Sequence, residues 1–229
     1  MAGTAVVTGA TGGIGAALVA ALKARGGFDR VVALSRRSDP ALDVCDEAGV
    51  AWAAHWLSET AGEIRLVIDA SGFLHDDRFR PERALADIDP DHMAKAFAVN
   101  ATGPALLMKH CLPLFPKTGR SVFASLSARV GSIGDNRLGG WHAYRASKAA
   151  LNQLVRGAAI ELGRRKREAI CVALHPGTVD TPLSQPFARA GLDVRSPEVA
   201  AGEILDVIDA LTPDDSGGFF DHKGERVEY

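Results

Sequence analysis

Cysteine is scarce. The 229 residues hold three, Cys45, Cys111 and Cys171. The number is odd and no two form a CxxC pair, so neither a disulfide framework nor a thiolate zinc site organises the chain. The seven histidines show no zinc-ligand spacing, and no metal is expected. Charge of one sign is lacking too. Lys and Arg total 26 against 28 Asp and Glu, for a net charge of -2. That excludes a basic surface built for nucleic acid or anionic lipid. No apolar run is long enough to span a bilayer. The N-terminus enters an apolar, strand-like run with no basic leader before it. These absences together predict a cytoplasmic protein with reduced thiols. Tyrosine is rare as well, with two residues, Tyr144 and Tyr229.

What the chain does have is alternation. Strand-like runs are expected at Ala5–Thr8, Arg30–Leu34, Ala41–Val44, Arg65–Ala70, Arg120–Leu126 and Ala169–Leu174, with a last one using Phe219 and Phe220. Helical spacing runs through Gly13–Arg25, Glu47–Thr60, Pro90–Phe115, His142–Gly163 and Pro197–Leu211. Strand and helix in turn, with apolar strands, imply an α/β fold. It would be a single doubly wound parallel sheet of about seven strands with helices on both faces. One domain over residues 1–229 suits this length. In such a sheet the loops after the strands' carboxyl ends line the ligand crevice. The irregular stretches Gly72–Asp89, Arg129–Trp141 and Pro176–Ser196 occupy those places.

The first strand ends in TGATGGIG, residues 8–15. Gly9, Gly13 and Gly15 let backbone approach a pyrophosphate, and the following helix start offers free N–H groups. The second strand ends in Leu34, Ser35, Arg36 and Arg37, with no acid to take ribose hydroxyls. A guanidinium there can grip a 2′-phosphate, which predicts NADP(H) as cofactor. Further on, HAYRASKAALNQL places Tyr144 and Lys148 four apart on one helix face. A phenol beside an ammonium is a plausible proton donor, its ionisation favoured by the neighbouring charge. Hydride exchange with a carbonyl or alcohol is the chemistry these pieces fit. The mixed segment Thr181–Arg195, with Pro182, Pro186, Phe187 and Leu192, reads as a substrate lid over about 180–195.

In this order TGATGGIG, IDASG (68–72), AVNATG (98–103), YRASK (144–148) and HPGTVDT (175–181) resemble the short-chain dehydrogenase/reductase family. The stretch SARVGSIGDNRLGGWHAYRASKAALN is similar to its C-factor and Sniffer-like carbonyl reductase branch. The resemblance implies a Rossmann fold and NADP(H)-dependent reduction of a carbonyl compound, or oxidation of the matching alcohol. It implies that Gly9, Thr11, Gly13, Ile14 and Gly15 line the pyrophosphate, and that Asp43 and Val44 contact the adenine. Ala70 and Gly72 fall in the segment the family spells NNAG, here DASG, from which Asp69 and Ser71 depart. Asn100 matches an asparagine that holds a water linking the lysine to solvent. Pro176, Gly177, Val179 and Thr181 match the stretch at the nicotinamide end. Lys148 would also bind the nicotinamide ribose. A closed dimer or tetramer through the two long helices is implied too.

The family's catalytic serine is less direct. The common spelling is SSxxG, whereas this chain reads Ser127-Ala128-Arg129-Val130-Gly131. A gapless match puts Ala128 at the serine position and Ser127 one place early, on the opposite strand face unless a bulge intervenes. Ser127 is the first candidate and Ser132 the second. Trp141 and His142 either wall the substrate pocket or serve as packing residues. A rival reading is an NADP(H)-binding signalling or regulatory protein with little turnover. A sugar-nucleotide epimerase would need a larger substrate lobe.

Overall fold

The computed structural model describes residues 2–187 and 193–229. Its strands are β1 (Thr4–Thr8), β2 (Arg30–Leu34), β3 (Ile64–Asp69), β4 (Ser121–Leu126), β5 (Ala169–His175), β6 (Thr178–Val179), β7 (Val194–Arg195) and β8 (Phe219–Asp221). Its α-helices are α1 (Gly13–Arg25), α2 (Glu47–Thr60), α3 (Pro90–Phe97), α4 (Gly103–Cys111), α5 (His142–Gly163) and α6 (Pro197–Ala210). Six strands form one parallel sheet in the order β2-β1-β3-β4-β5-β8. From β1 the chain first moves outward to β2 and then crosses back to β3. In a sheet of this order a ligand's place is outside the carboxyl ends of β1 and β3, where the direction reverses.

Alternate side chains explain why helices cover both faces. Val6, Val67, Phe123 and Ala173 pack with Val50, Leu107, Leu151 and Val155 of α2, α4 and α5. Their neighbours Val7, Ile68, Ala124 and Val172 pack with Leu18, Leu22, Ile204 and Ile208 of α1 and α6. Every residue of β1 and β4 is buried, as a two-sided parallel sheet requires.

Three features differ from the expected pattern. Ala41–Val44 forms no strand: the chain folds back on β2, with Leu42 N–H donating to Ser35 O at 2.8 Å. Leu42 and Val44 are both buried and Asp43 is exposed. That period of two imitates a strand without a ladder to join.

The long helix expected over Pro90–Phe115 is interrupted by a π turn at Ala98–Thr102, and a 3-10 turn follows α4 at Leu112–Leu114. Pro104 explains the interruption. It has no N–H for the carbonyl of Asn100, four residues back, and its ring crowds that carbonyl. Gly103 N–H reaches past to Ala98 O. The third difference is a separate parallel pair, β6 with β7, which joins the two ends of the expected lid.

Candidate active site

The glycine turn is built for close approach. Gly9 has φ +66°, and a Cβ there would lie 2.7 Å from the backbone of Ala70. A Cβ on Gly15 would lie 2.2 Å from Gly9 O. The turn is thereby packed on itself and on the end of β3. Gly13 faces the loop after β5, where a Cβ would meet Thr181 Cγ2 at 2.7 Å. Helix α1 starts at Gly12 with no side-chain cap and no acid in its first turn. Its leading N–H groups and positive dipole end remain available to an anion. Thr11 is exposed and Ile14 half-buried beside them.

At the end of β2, Ser35 is buried and its Oγ accepts from Arg37 N–H at 3.1 Å. Arg36 and Arg37 are exposed. Asp43 is exposed and binds its own turn through Cys45 N–H. Val44 is buried against Gly103 at the start of α4. Ala70 is half-buried and Gly72 exposed at the crevice floor. Pro176 and Val179 are buried, and Gly177 takes a left-handed φ of +78° with Arg195 and His222 behind it.

Tyr144 is the third residue of α5, and Lys148 follows one turn later. Lys148 Nζ donates to Leu126 O at 2.7 Å and lies 5.9 Å from the centre of the Tyr144 ring. Burial pushes the Tyr144 phenol up to about 12. Burial also draws Lys148 down to about 8, against an upward pull from the Asp69 carboxylate. The cause of the raised phenol is desolvation of the phenolate. Asn100, fully buried, uses its side chain as a clamp. Its Oδ1 accepts from Phe73 N–H at 2.8 Å, while Nδ2 donates to Phe73 O at 2.8 Å and Ser147 Oγ at 3.0 Å. The π turn leaves its backbone carbonyl without an i+4 donor, the place where a water could bind.

Ser127 continues β4 on the face covered by α5. Its Oγ donates to Asn152 Oδ1 at 2.7 Å, and its N–H donates to Leu174 O at 2.7 Å. Ala128, half-buried, turns the other way. Ser132 is buried and its Oγ accepts from Asp135 N–H at 3.0 Å, which leaves the hydroxyl proton for another acceptor. The preceding Gly131 lies against Lys148, where a Cβ would sit 2.8 Å from the lysine's own Cβ.

Aromatic rings form the wall. Trp141, at φ +50°, precedes α5 and packs edge-on to Tyr144, with centroids 6.2 Å apart, and to Phe187, 5.2 Å apart. His75 packs on Phe187 at 5.2 Å, and its Nε2 faces the carbonyls of Pro182 and Leu183. Glu82 holds this corner. Its backbone O accepts from Trp141 N–H at 2.6 Å, its carboxylate accepts from Ala143 N–H, and His92 Nδ1 lies 3.2 Å from it. Glu82, His75 and Asn152 carry no sequence signature, since each acts on a residue far along the chain. His142 is half-exposed beside Trp141. The lid's Leu192 lies outside the described residues. At the lid's base Arg195 pairs with Glu203 at 2.9 Å.

Comparison with known proteins follows the same lines. A family model described as Enoyl-(Acyl carrier protein) reductase matches residues 9–207. C-signal of Myxococcus xanthus is 39% identical over 146 residues, covering 64% of this chain and 84% of that protein. The NADPH-bound carbonyl reductase from chicken fatty liver is 25% identical, with a TM-score of 0.87 over 100% of both chains. Carbonyl reductase Sniffer of D. melanogaster, 21% identical, has a TM-score of 0.86 over 100% of both chains and shares the fold.

Proposed function

The chain belongs to the short-chain dehydrogenase/reductase family, and on that premise we propose that it is an NADP(H)-dependent carbonyl reductase. One observation carries the reading. The glycine turn, the open start of α1 and the pair of half-buried Tyr144 with buried Lys148 gather on the carboxyl-end side of the sheet, around its switch point. The turn fits the cofactor because Gly9, Gly13 and Gly15 pack with no room for side chains and leave the N–H groups at the start of α1 uncovered. Gly9, Thr11, Gly13, Ile14 and Gly15 would hold the pyrophosphate. Asp43, Val44, Ala70 and Gly72 would border the adenosine half, and Pro176, Gly177, Val179 and Thr181 the nicotinamide end. When bound, NADPH supplies the hydride.

Tyr144 supplies the proton. A phenol held near 12 keeps its proton at neutral pH, the form needed to protonate a substrate alkoxide. Lys148 keeps positive charge beside the phenol, and Asn100 offers its carbonyl to a water behind the lysine. A serine would orient the substrate oxygen. The uncommitted proton of Ser132 favours it, whereas Ser127 serves only after releasing Asn152. The wall of Trp141, Phe187 and His75 suits an apolar carbonyl compound and sheds water from the crevice. One dinucleotide-binding domain with a lid over 180–195 would thus carry the whole reaction. An NADP(H)-binding regulator with little turnover is favoured by a single observation, the commitment of the Ser127 hydroxyl to Asn152.

Arg36 decides the cofactor choice. Arg36→Ala weakens NADPH binding about tenfold or more while NADH changes little, because a guanidinium contact to the 2′-phosphate is a charge-assisted bond. Equal losses for both nucleotides, read by fluorescence titration, would refute the role of Arg36.

The chain also carries a surface suited to self-association. A groove of about 730 Å³ runs between α4 and α5, lined by Ala105, Met108, Leu112, Leu154 and Ala158. Leu154 and Ile160 stand exposed on α5. A homodimer or homotetramer through these helices would cover them, and sedimentation should show a single species larger than the 24.1 kDa chain. A monomer at micromolar concentration contradicts this. No helix among the described residues is long and apolar enough to cross a membrane, and a cytoplasmic location goes with the proposed use of NADPH.

A further inference from the structure

Two buried charges at this site lack a directly bonded partner of opposite sign. The buried acids among the described residues are Asp69, Glu82 and Asp221. Glu82 faces His92, and Asp221 faces Arg129 at 3.8 Å. Asp69 meets four neutral donors instead. They are Thr8 Oγ1 at 3.0 Å, Ser71 N–H at 3.0 Å, Ser71 Oγ at 2.6 Å and Ser125 Oγ at 2.7 Å. The buried cation is Lys148, whose Nζ bonds the Leu126 carbonyl. Burying an isolated charge is costly unless an opposite charge or strong dipoles compensate it.

Register puts the two charges in one layer. Thr8, Asp69 and Ser125 stand side by side on β1, β3 and β4. Two residues earlier on each strand, Val6, Val67 and Phe123 pack toward α4 and α5. By strand alternation Asp69 points the same way. Lys148 reaches down from α5 to Leu126, the next residue after Ser125. The carboxylate and the ammonium therefore share a buried polar layer beneath the carboxyl ends of the strands, where charges act over longer distances than in water.

We propose that Asp69 is the counter-ion of Lys148, a positioning residue that keeps the lysine charged from across the end of β4. Where the family's usual spelling has a neutral asparagine, this chain carries a carboxylate. Its field reaches the facing groups. It draws Lys148 upward against burial, and it adds to the burial that holds the Cys111 thiol of α4 up at about 12. Tyr144, the other titratable group facing Lys148, is held protonated by burial. Neither Cys111 nor Tyr144 supplies a charge at neutral pH that could replace Asp69.

The test is a titration of the cofactor-free protein, so its failure is distinct from failure of the carbonyl-reductase reading. Lysine labelled with ¹³C at Cε reports each ammonium, and loss of one signal in Lys148→Arg assigns Lys148. Asp69→Asn should lower the Lys148 midpoint by about one to two pH units. Ser125→Ala removes a hydrogen bond from Asp69 and keeps its charge, so it should move the midpoint less. An unchanged midpoint in folded Asp69→Asn overturns the proposal. If that variant does not fold, the ¹³Cγ signal of Asp69 in the parent decides. An anionic carboxylate through the pH range where Lys148 titrates supports the pairing, and a protonated carboxyl at neutral pH overturns it.

Discussion

Tyr144→Phe lowers carbonyl reduction by about 10²–10⁴-fold and leaves NADPH affinity close to that of the parent. The substitution deletes one oxygen atom and keeps the ring that packs against Trp141. The crevice should therefore keep its shape, and any loss reports the proton. The phenol, raised by burial, is in donor form across the neutral range. The same series assigns the serine. If Ser132 orients the substrate oxygen, Ser132→Ala reduces kcat/KM and Ser127→Ala acts mainly on stability through Asn152. The reverse pattern returns the role to Ser127. Full activity in Tyr144→Phe would remove the proposed mechanism.

Gly9→Ala should unfold the protein earlier and weaken nucleotide binding together. An alanine at φ +66° carries about 1–3 kcal/mol of backbone strain. The stiffer unfolded chain returns only about 0.4–1 kcal/mol. Strain wins even before the new Cβ meets Ala70 backbone at 2.7 Å. A net loss of about 2 kcal/mol corresponds to a fall in Tm of about 4–8 °C for a chain of this size. Gly62→Ala is the control. Gly62 has nearly the same φ, +65°, with nothing within 4 Å of the added Cβ. It should lose the backbone component alone and keep NADPH binding. Equal effects from the two alanines would mean that the turn after β1 is an ordinary bend.

Much of this architecture was legible in local patterns. The strands of a two-sided sheet are short apolar runs, and Val6, Val67 and Phe123 sit where such runs predict burial. TGATGGIG and the Tyr144–Lys148 spacing act within one turn of chain, so motif and spacing suffice to propose them. Misreadings arose where tertiary contacts imitate or override local order. Leu42 and Val44 alternate like a strand because both dip into the core beside α4, with no neighbouring strand to pair. Pro104 was visible, but an interrupted helix keeps its apolar period, and only the bond from Gly103 to Ala98 reveals the π turn. Glu82, His75 and Phe187 meet Trp141 or one another across gaps of 46 to 112 residues, a relation no spacing rule contains. The effect of burial on the Tyr144 phenol was not legible either, because burial is a property of the folded site.

The most direct test of the central claim is NADPH oxidation by the purified protein against a panel of apolar aldehydes, ketones and quinones. Saturable turnover with at least one class of carbonyl, lost in Tyr144→Phe, is the predicted result. Tight NADPH binding with no turnover across the panel would contradict it and leave a nucleotide-binding regulator in its place.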